Sequence, residues 1–506
     1  MNTPLRRVGL AMLAMIMLLL ANATYIQVVK ADDYRNDPRN QRVLLEEYAR
    51  QRGRILTSDE VIIANVKSTN DRLRYLRTYS NGPMYAPVTG FYSVRYGATG
   101  LERAEDEVLN GSDDRLFVRR LSDLITGRDP RGGNIVTTIN SKVQKTAYQQ
   151  MVASGYKGAV VAIKPDSGEI LGMVSTPSYD PNQLAAHDGK AQENAYNKYR
   201  DDKNTNKPML NRAIQDNYAP GSTFKLITAA TGLEDGKDKG YQLTAAPGID
   251  VITGDPCDPS DGSSRCLSNY NGNPCGSGQT ATMETALQLS CNSAFAQLAA
   301  QEGADRMRDQ AVKFGVGQTD MTIPMSVVPS CIGPQADGNC LNIVDEPSLY
   351  QSGIGQRDVR MTVLENAVVA ATVANGGVRM RPQLVQKVLA PDLSVISDFE
   401  DEEEAEAISS GSADQLTEMM ILSEENTGGD GKRGDLEIAS KTGTAETGAD
   451  PKNTPPYAWY VAFAPANDPK IAVAVMVEST DVAATGGKLS ASIGRATMDA
   501  ALAGGN

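Results

Sequence analysis

At 506 residues the chain exceeds what one ordinary hydrophobic core organises, and its 41% hydrophobic share is enough for two or three domains. A net charge of −13, from 49 basic and 62 acidic side chains, disfavours a surface for polyanions, so nucleic acid is excluded as a natural partner. The single histidine, His187, lies in a polar stretch that reads as an exposed loop; histidine-rich metal sites are excluded, no metal or cofactor is expected, and Ser-His-Asp catalysis would need that one imidazole.

The chain opens with Arg6 and Arg7 before an apolar run from Val8 to Ala21, extended through Ile26, Val28 and Val29 and followed by Asp32-Asp33. Basic residues on the near side place the start in the cytoplasm and the remainder outside. Ala21-Asn22-Ala23 also fits a cleavage site, so a removed signal peptide competes with a retained anchor, which is the favoured reading. The first 31 residues are assigned to the cytoplasmic start and this single-pass anchor, with everything downstream extracytoplasmic.

Residues 32–140 read as a pedestal that lifts the next domain off the membrane. Arg52-Gly53-Arg54-Ile55-Leu56 and Val61–Asn65 suggest a turn and short hairpin, and Gly100-Leu101-Glu102 opens a helical stretch closed by Asn110-Gly111. Ile135 to Ala147 reads as a strand running into a helix at the start of the second domain, which is assigned 141–506.

Within that domain two apolar runs, Ala159–Ile163 and Ile170–Val174, flank the turn Lys164-Pro165-Asp166-Ser167-Gly168, a strong hairpin signal. A second pair, Trp459–Phe463 and Ile471–Val477, lies near the far end, with helical stretches such as Met283–Ala300 and Met361–Ala374 between. Strands at both ends and helices between imply an α+β fold: an antiparallel sheet assembled from distant segments, with helices on its faces. The acidic tract Glu400–Glu406 reads as a solvated linker or strand edge. All six cysteines fall between Cys257 and Cys340, a clustered even set that suggests disulfides in an exported protein. Nearest-neighbour pairing gives Cys257–Cys266, Cys275–Cys291 and Cys331–Cys340; a buried free thiol at Cys291 is the alternative.

Three short motifs carry the chemistry. Ser222-Thr223-Phe224-Lys225 follows Ala219-Pro220-Gly221 and opens a helix pattern that stops near Gly236. Ser222 is the candidate nucleophile, and Lys225, one turn on, is the candidate base, provided burial lowers its pKa. Ser290-Cys291-Asn292 supplies a hydroxyl to relay a proton and an amide to hold Lys225 and substrate; read alone, the two polar residues simply cap adjacent helices. Lys441-Thr442-Gly443-Thr444 extends a strand. Gly443 lets substrate backbone approach, Lys441, Thr442 and Thr444 are placed to hold a carboxylate, and the N–H groups of Thr444 and Ser222 are candidate oxyanion donors, each worth roughly 10²–10³ in rate. Ser154-Gly155-Tyr156-Lys157 and Ser68-Thr69-Asn70 match two of these patterns by chance, since the first has no helix after it and the second precedes any nucleophile.

In this order the motifs match the Ser-x-x-Lys, Ser-x-Asn, Lys-Thr-Gly set of penicillin-recognising acyl-serine transferases. With Arg52-Gly53-Arg54-Ile55, Gly100-Leu101-Glu102, Ile354-Gly355-Gln356, Ala374-Asn375-Gly376-Gly377 and Pro455-Pro456-Tyr457-Ala458-Trp459, the chain resembles class B penicillin-binding proteins over nearly its whole length, closest to an actinobacterial type. The resemblance implies a serine-type D-Ala-D-Ala transpeptidase that cross-links peptidoglycan stem peptides of lipid-linked precursor strands. It also implies covalent inhibition by β-lactams, a retained membrane helix, and a SEDS-type glycan polymerase as partner. A DD-carboxypeptidase is the nearest rival, and a non-catalytic β-lactam sensor or scaffold is the alternative of a different kind.

Overall fold

A computed structural model describes residues 2–30, 48–116, 131–201, 203–448, 450 and 453–503. The assignments at the 31/32 boundary fall outside these residues.

Strand alternation explains the larger domain. Lys157–Ile163, Ile170–Thr176, Tyr457–Ala464, Ile471–Glu478 and Ala439–Ala445 form one antiparallel five-stranded sheet, in which Ala439–Ala445 and Ile170–Thr176 are the edges. Because side chains along a strand point to alternate faces, each apolar run feeds two cores. Val161, Trp459, Val461, Phe463, Ala474 and Met476 face one, with the wholly buried helix Val363–Ala374. Val160, Ala162, Tyr460, Ala462, Val473 and Val475 face the other, where Ser141–Ala153 and Ala491–Leu502 pack. This is the expected α+β arrangement of an antiparallel sheet flanked by helices.

The pedestal is built on a six-stranded sheet in the order Val395–Asp398, Val385–Leu389, Asn134–Thr137, Ile55–Leu56, Ile62–Ser68, Tyr75–Tyr79. Two of its strands come from far down the chain, past the expected boundary at 140. Asn134–Thr137 therefore belongs to the pedestal and not to the second domain, because its neighbours are Ile55–Leu56 in parallel and Val385–Leu389 antiparallel. The pedestal interior also holds a charged knot, with Glu102 bridging Arg52 and Arg77 at 2.6 and 2.5 Å and accepting from the Tyr79 hydroxyl.

His187 is half-buried and not in a free loop. Its Nδ1 pairs with Asp71 and its Nε2 meets the Tyr75 carbonyl at 3.2 Å, clasping the larger domain to the pedestal hairpin. The acidic tract contributes a strand, Glu403–Glu406, paired with Val378–Met380, and Arg379 and Arg381 neutralise Glu404 and Glu402. All six cysteines are bridged, as Cys257–Cys266, Cys275–Cys291 and Cys331–Cys340. At the amino end a continuous helix covers Asn2–Thr24 and runs on as a π-turn through Val29; Arg6–Val29 is long and apolar enough to cross a membrane.

Candidate active site

Ser222 lies on the 3₁₀ turn Gly221–Phe224, which runs directly into the helix Lys225–Glu234. In a 3₁₀ turn, residues three apart stand one above the other, so Lys225 shares the face of Ser222 more strictly than an α-helix would require. Gly221 is needed here: its φ is +54°, and an added Cβ would stand 2.9 Å from the Thr444 carbonyl oxygen. Its N–H donates to the Gly355 carbonyl at 2.9 Å, and the Trp459 indole donates to the Ala219 carbonyl at the same distance. The Ser222 turn is thus pressed against the edge strand Ala439–Ala445 and fastened from two directions.

The expected helix Met283–Ala300 is broken. It ends as Met283–Gln288 and resumes as Asn292–Glu302, with Ser290 between them at φ +58°. A left-handed backbone is uncommon for serine and marks a locally strained position. Here it turns both oxygens of Ser290 toward one amine. Lys225 Nζ donates to the Ser290 carbonyl at 2.7 Å and to Asn292 Oδ1 at 2.8 Å, and lies 3.4 Å from Ser290 Oγ. The Asn292 amide nitrogen donates to the Ser268 carbonyl at 2.8 Å, which fixes the amide with its oxygen toward Lys225.

Lys441 approaches the same serine from the edge strand. Its Nζ donates to Ser290 Oγ at 2.9 Å and to the Thr442 carbonyl at 3.0 Å. Both lysines are buried, 0% and 1% exposed. Burial, together with the neighbouring Lys441 charge, pushes Lys225 well below the usual lysine range, and burial lowers Lys441 to about 7. Two ammonium groups sharing one hydroxyl in an apolar wall cannot both stay charged cheaply, so an unprotonated amine is available near neutral pH.

Gly443 closes the edge strand onto the nucleophile turn. A Cβ there would lie 2.7 Å from the Pro220 carbonyl oxygen and 3.0 Å from Thr223 Cγ2. Thr442 and Thr444 are half-buried along the same strand, and Thr444 Oγ1 accepts from the Gly486 N–H at 3.4 Å. The chance matches stay apart: Ser68 ends a pedestal strand and Ser154 caps the helix Ser141–Ala153. Among the described residues no group of three His, Cys, Asp or Glu side chains is placed to hold a metal.

Sequence reasoning missed several supports. Asn269 receives the Ser293 N–H at 2.9 Å and itself donates to the Ala246 carbonyl at 3.0 Å, stitching the 246–275 segment to the Ser290 turn. Glu424, Arg495 and Ser440 form a buried cluster behind the edge strand. Nothing local in the sequence marks these residues, since each is an ordinary polar side chain until the fold buries it.

Known proteins match the chain over most of its length. Residues 158–499 match the penicillin binding protein transpeptidase domain, and residues 52–135 match the penicillin binding protein A dimerisation domain. A peptidoglycan D,D-transpeptidase PbpA from Mycolicibacterium smegmatis is 52% identical over 507 residues, covering 99% of each chain. Penicillin-binding protein A from M. tuberculosis, solved as a ceftriaxone acyl-enzyme complex, superposes with a TM-score of 0.85 at 48% identity, covering 90% of this chain and all (100%) of that one. Its penicillin G acyl-enzyme complex gives a TM-score of 0.82 at 48% identity, with the same 90% and 100% coverage.

Proposed function

The chain belongs to the penicillin-binding protein transpeptidase family, and from that premise we propose a peptidoglycan D,D-transpeptidase that works through an acyl ester on Ser222 and is inhibited by β-lactams. The observation that carries the reading is the convergence of three distant motifs on one hydroxyl, with Lys225 and Lys441 both directed at Ser290.

In this reading the free amine of Lys225 takes the Ser222 proton as Oγ attacks the penultimate D-Ala carbonyl of a stem peptide. The N–H groups of Ser222 and Thr444 receive the oxyanion. The proton passes from Lys225 by way of the Ser290 hydroxyl to the departing D-Ala nitrogen, so the peptide bond breaks without releasing an amide anion. A stem-peptide amine from a neighbouring strand then attacks the ester and loses its proton along the same route, which restores Ser222 and leaves a cross-link. Asn292 orients Lys225, while Lys441, Thr442 and Thr444 receive the substrate carboxylate; Gly443, expected to admit substrate backbone, instead lets the strand lie close against the Ser222 turn.

The helix Arg6–Val29 serves as a single-pass anchor, with residues 32–140 and the hairpin 385–398 as pedestal and the rest of 141–506 as the extracytoplasmic transpeptidase. Three disulfides support an oxidising compartment. A membrane-embedded SEDS-type glycan polymerase is the partner that the family likeness suggests. Mass spectrometry of intact protein treated with labelled penicillin is the test: one adduct on Ser222 is expected, and an adduct that survives Ser222→Ala would overturn the assignment.

A further inference from the structure

We propose that Glu424, held by Arg495, is a positioning residue for the strand that carries Lys441 and Thr444, an inference that rests on the acyl-serine reading above. Ala439–Ala445 is an edge strand with a sheet neighbour on one side only. Behind it, side chains from three elements meet a single carboxylate carried by a fourth. Glu424 comes from the helix Ser410–Asn426, and Arg495, from Ala491–Leu502, meets its Oε1 through Nε at 2.8 Å and a terminal nitrogen at 2.7 Å. The Tyr460 hydroxyl donates to Oε2 at 3.1 Å, and the Ser440 hydroxyl donates to the same oxygen. Glu424, Arg495 and Ser440 are 7%, 1% and 0% exposed.

Ser440 is the residue before Lys441, and alternation along the strand turns their side chains to opposite faces. A tether on Ser440 therefore sets the roll of the strand, which on the other face aims the Lys441 amine at Ser290. Arg495 also closes the turn that follows the Glu424 helix, with one nitrogen donating to the carbonyls of Gly428, Gly429 and Asp430 at 3.2, 2.8 and 2.9 Å. That turn backs onto Gly487, since a Cβ on Gly429 would stand 2.5 Å from the Gly487 carbonyl oxygen. The adjoining Gly486 N–H reaches Thr444 Oγ1 at 3.4 Å. One buried ion pair thus governs both ends of the motif. Such pairs contribute little net stability once desolvation is counted, so its attachment at both ends points to geometry as what it provides.

The test uses full-length protein and separates penicillin binding (Ks) from acylation (k2). Ser440→Ala is expected to slow k2 by about tenfold to a hundredfold, as small misplacements of catalytic groups do, while Ks changes by less than about twofold. Tyr460→Phe removes the other hydroxyl from the same carboxylate oxygen while leaving the Ser440–Glu424 bond in place, and is expected to slow k2 by less than Ser440→Ala does. Arg495→Lys keeps the charge but cannot span the carboxylate and three carbonyls, and is expected to slow k2 as Ser440→Ala does. Wild-type k2 in folded Ser440→Ala or Arg495→Lys protein would overturn the inference, as would equal slowing in Ser440→Ala and Tyr460→Phe. Absence of any wild-type adduct would instead overturn the acyl-serine reading, and this inference with it.

Discussion

Lys225 and Lys441 reach the same side chain from opposite walls, with Ser290 Oγ 3.4 Å from one amine and 2.9 Å from the other. Neither lysine has a carboxylate at its amine; each is bonded to carbonyl, amide or hydroxyl oxygens. Burial lowers the proton affinity of both, with the Lys441 charge adding to the effect on Lys225, and no carboxylate among the described residues is bonded to either amine to offset it.

Acylation is therefore expected to be fast near neutral pH and to fall in acid, with no requirement for pH near the ordinary lysine value of 10.5. Measuring k2/Ks for penicillin from pH 5 to about 10 checks this. A limb that rises only above about pH 9 would contradict a depressed lysine.

Stability carries a matching signature. Unfolded Lys441 holds its proton up to about 10.5, whereas the folded group releases it at about 7. Between those values the unfolded chain binds more protons, so this group's contribution to stability rises with pH, and below about 7 the full cost of a buried ammonium is present. Lys441→Met, similar in volume and uncharged, is expected to flatten that rise when urea unfolding is compared at two pH values on either side of 8.

Lys225→Ala is expected to slow acylation by about 10²–10⁴-fold, the usual contribution of a positioned base. Circular dichroism should stay native, because the helix Lys225–Glu234 keeps its other buried side chains; some loss of stability to urea is expected from the cavity left beside Phe295. Normal acylation would rule out lysine as the base.

Joint replacement of Cys275 and Cys291 by serine frees the turn that holds Ser290. Their separation of 16 residues corresponds to about 3 kcal/mol of lost stability in the chain-entropy account. Slower acylation should accompany it, since Ser290 adjoins Cys291; urea unfolding and penicillin kinetics on the same preparation read both effects.

Glu102→Gln should destabilise the pedestal by about 3–5 kcal/mol, because Arg77 would be left buried without a carboxylate while Arg52 keeps only Asp106. Acylation of the protein that remains folded should be unchanged, as Glu102 belongs to the pedestal knot.

Much of this architecture was legible in the sequence, for reasons that differ by element. The runs 159–163 and 471–477 read as strands because both faces of the sheet are covered, which leaves an uninterrupted apolar signature. The motif residues that meet at Ser290 were legible because their spacing within each motif is local. The break at Ser290 was legible only as two polar residues capping adjacent helices, and the left-handed backbone that aims both serine oxygens at one amine was not. The Glu424–Arg495 pair was equally silent, as 71 positions separate its members. His187 was misjudged because polar neighbours suggested solvent, while its partners, Asp71 and Tyr75, lie in the pedestal.

The strands Val385–Leu389 and Val395–Asp398 sit in the pedestal sheet although the chain reaches them only after it has passed the nucleophile. Cutting the polypeptide near residue 140 would strip Asn134–Thr137 of its antiparallel partner strand and leave the later fragment with two strands whose sheet it lacks. Grafting a foreign module in place of the first 140 residues would therefore require transplanting that hairpin as well.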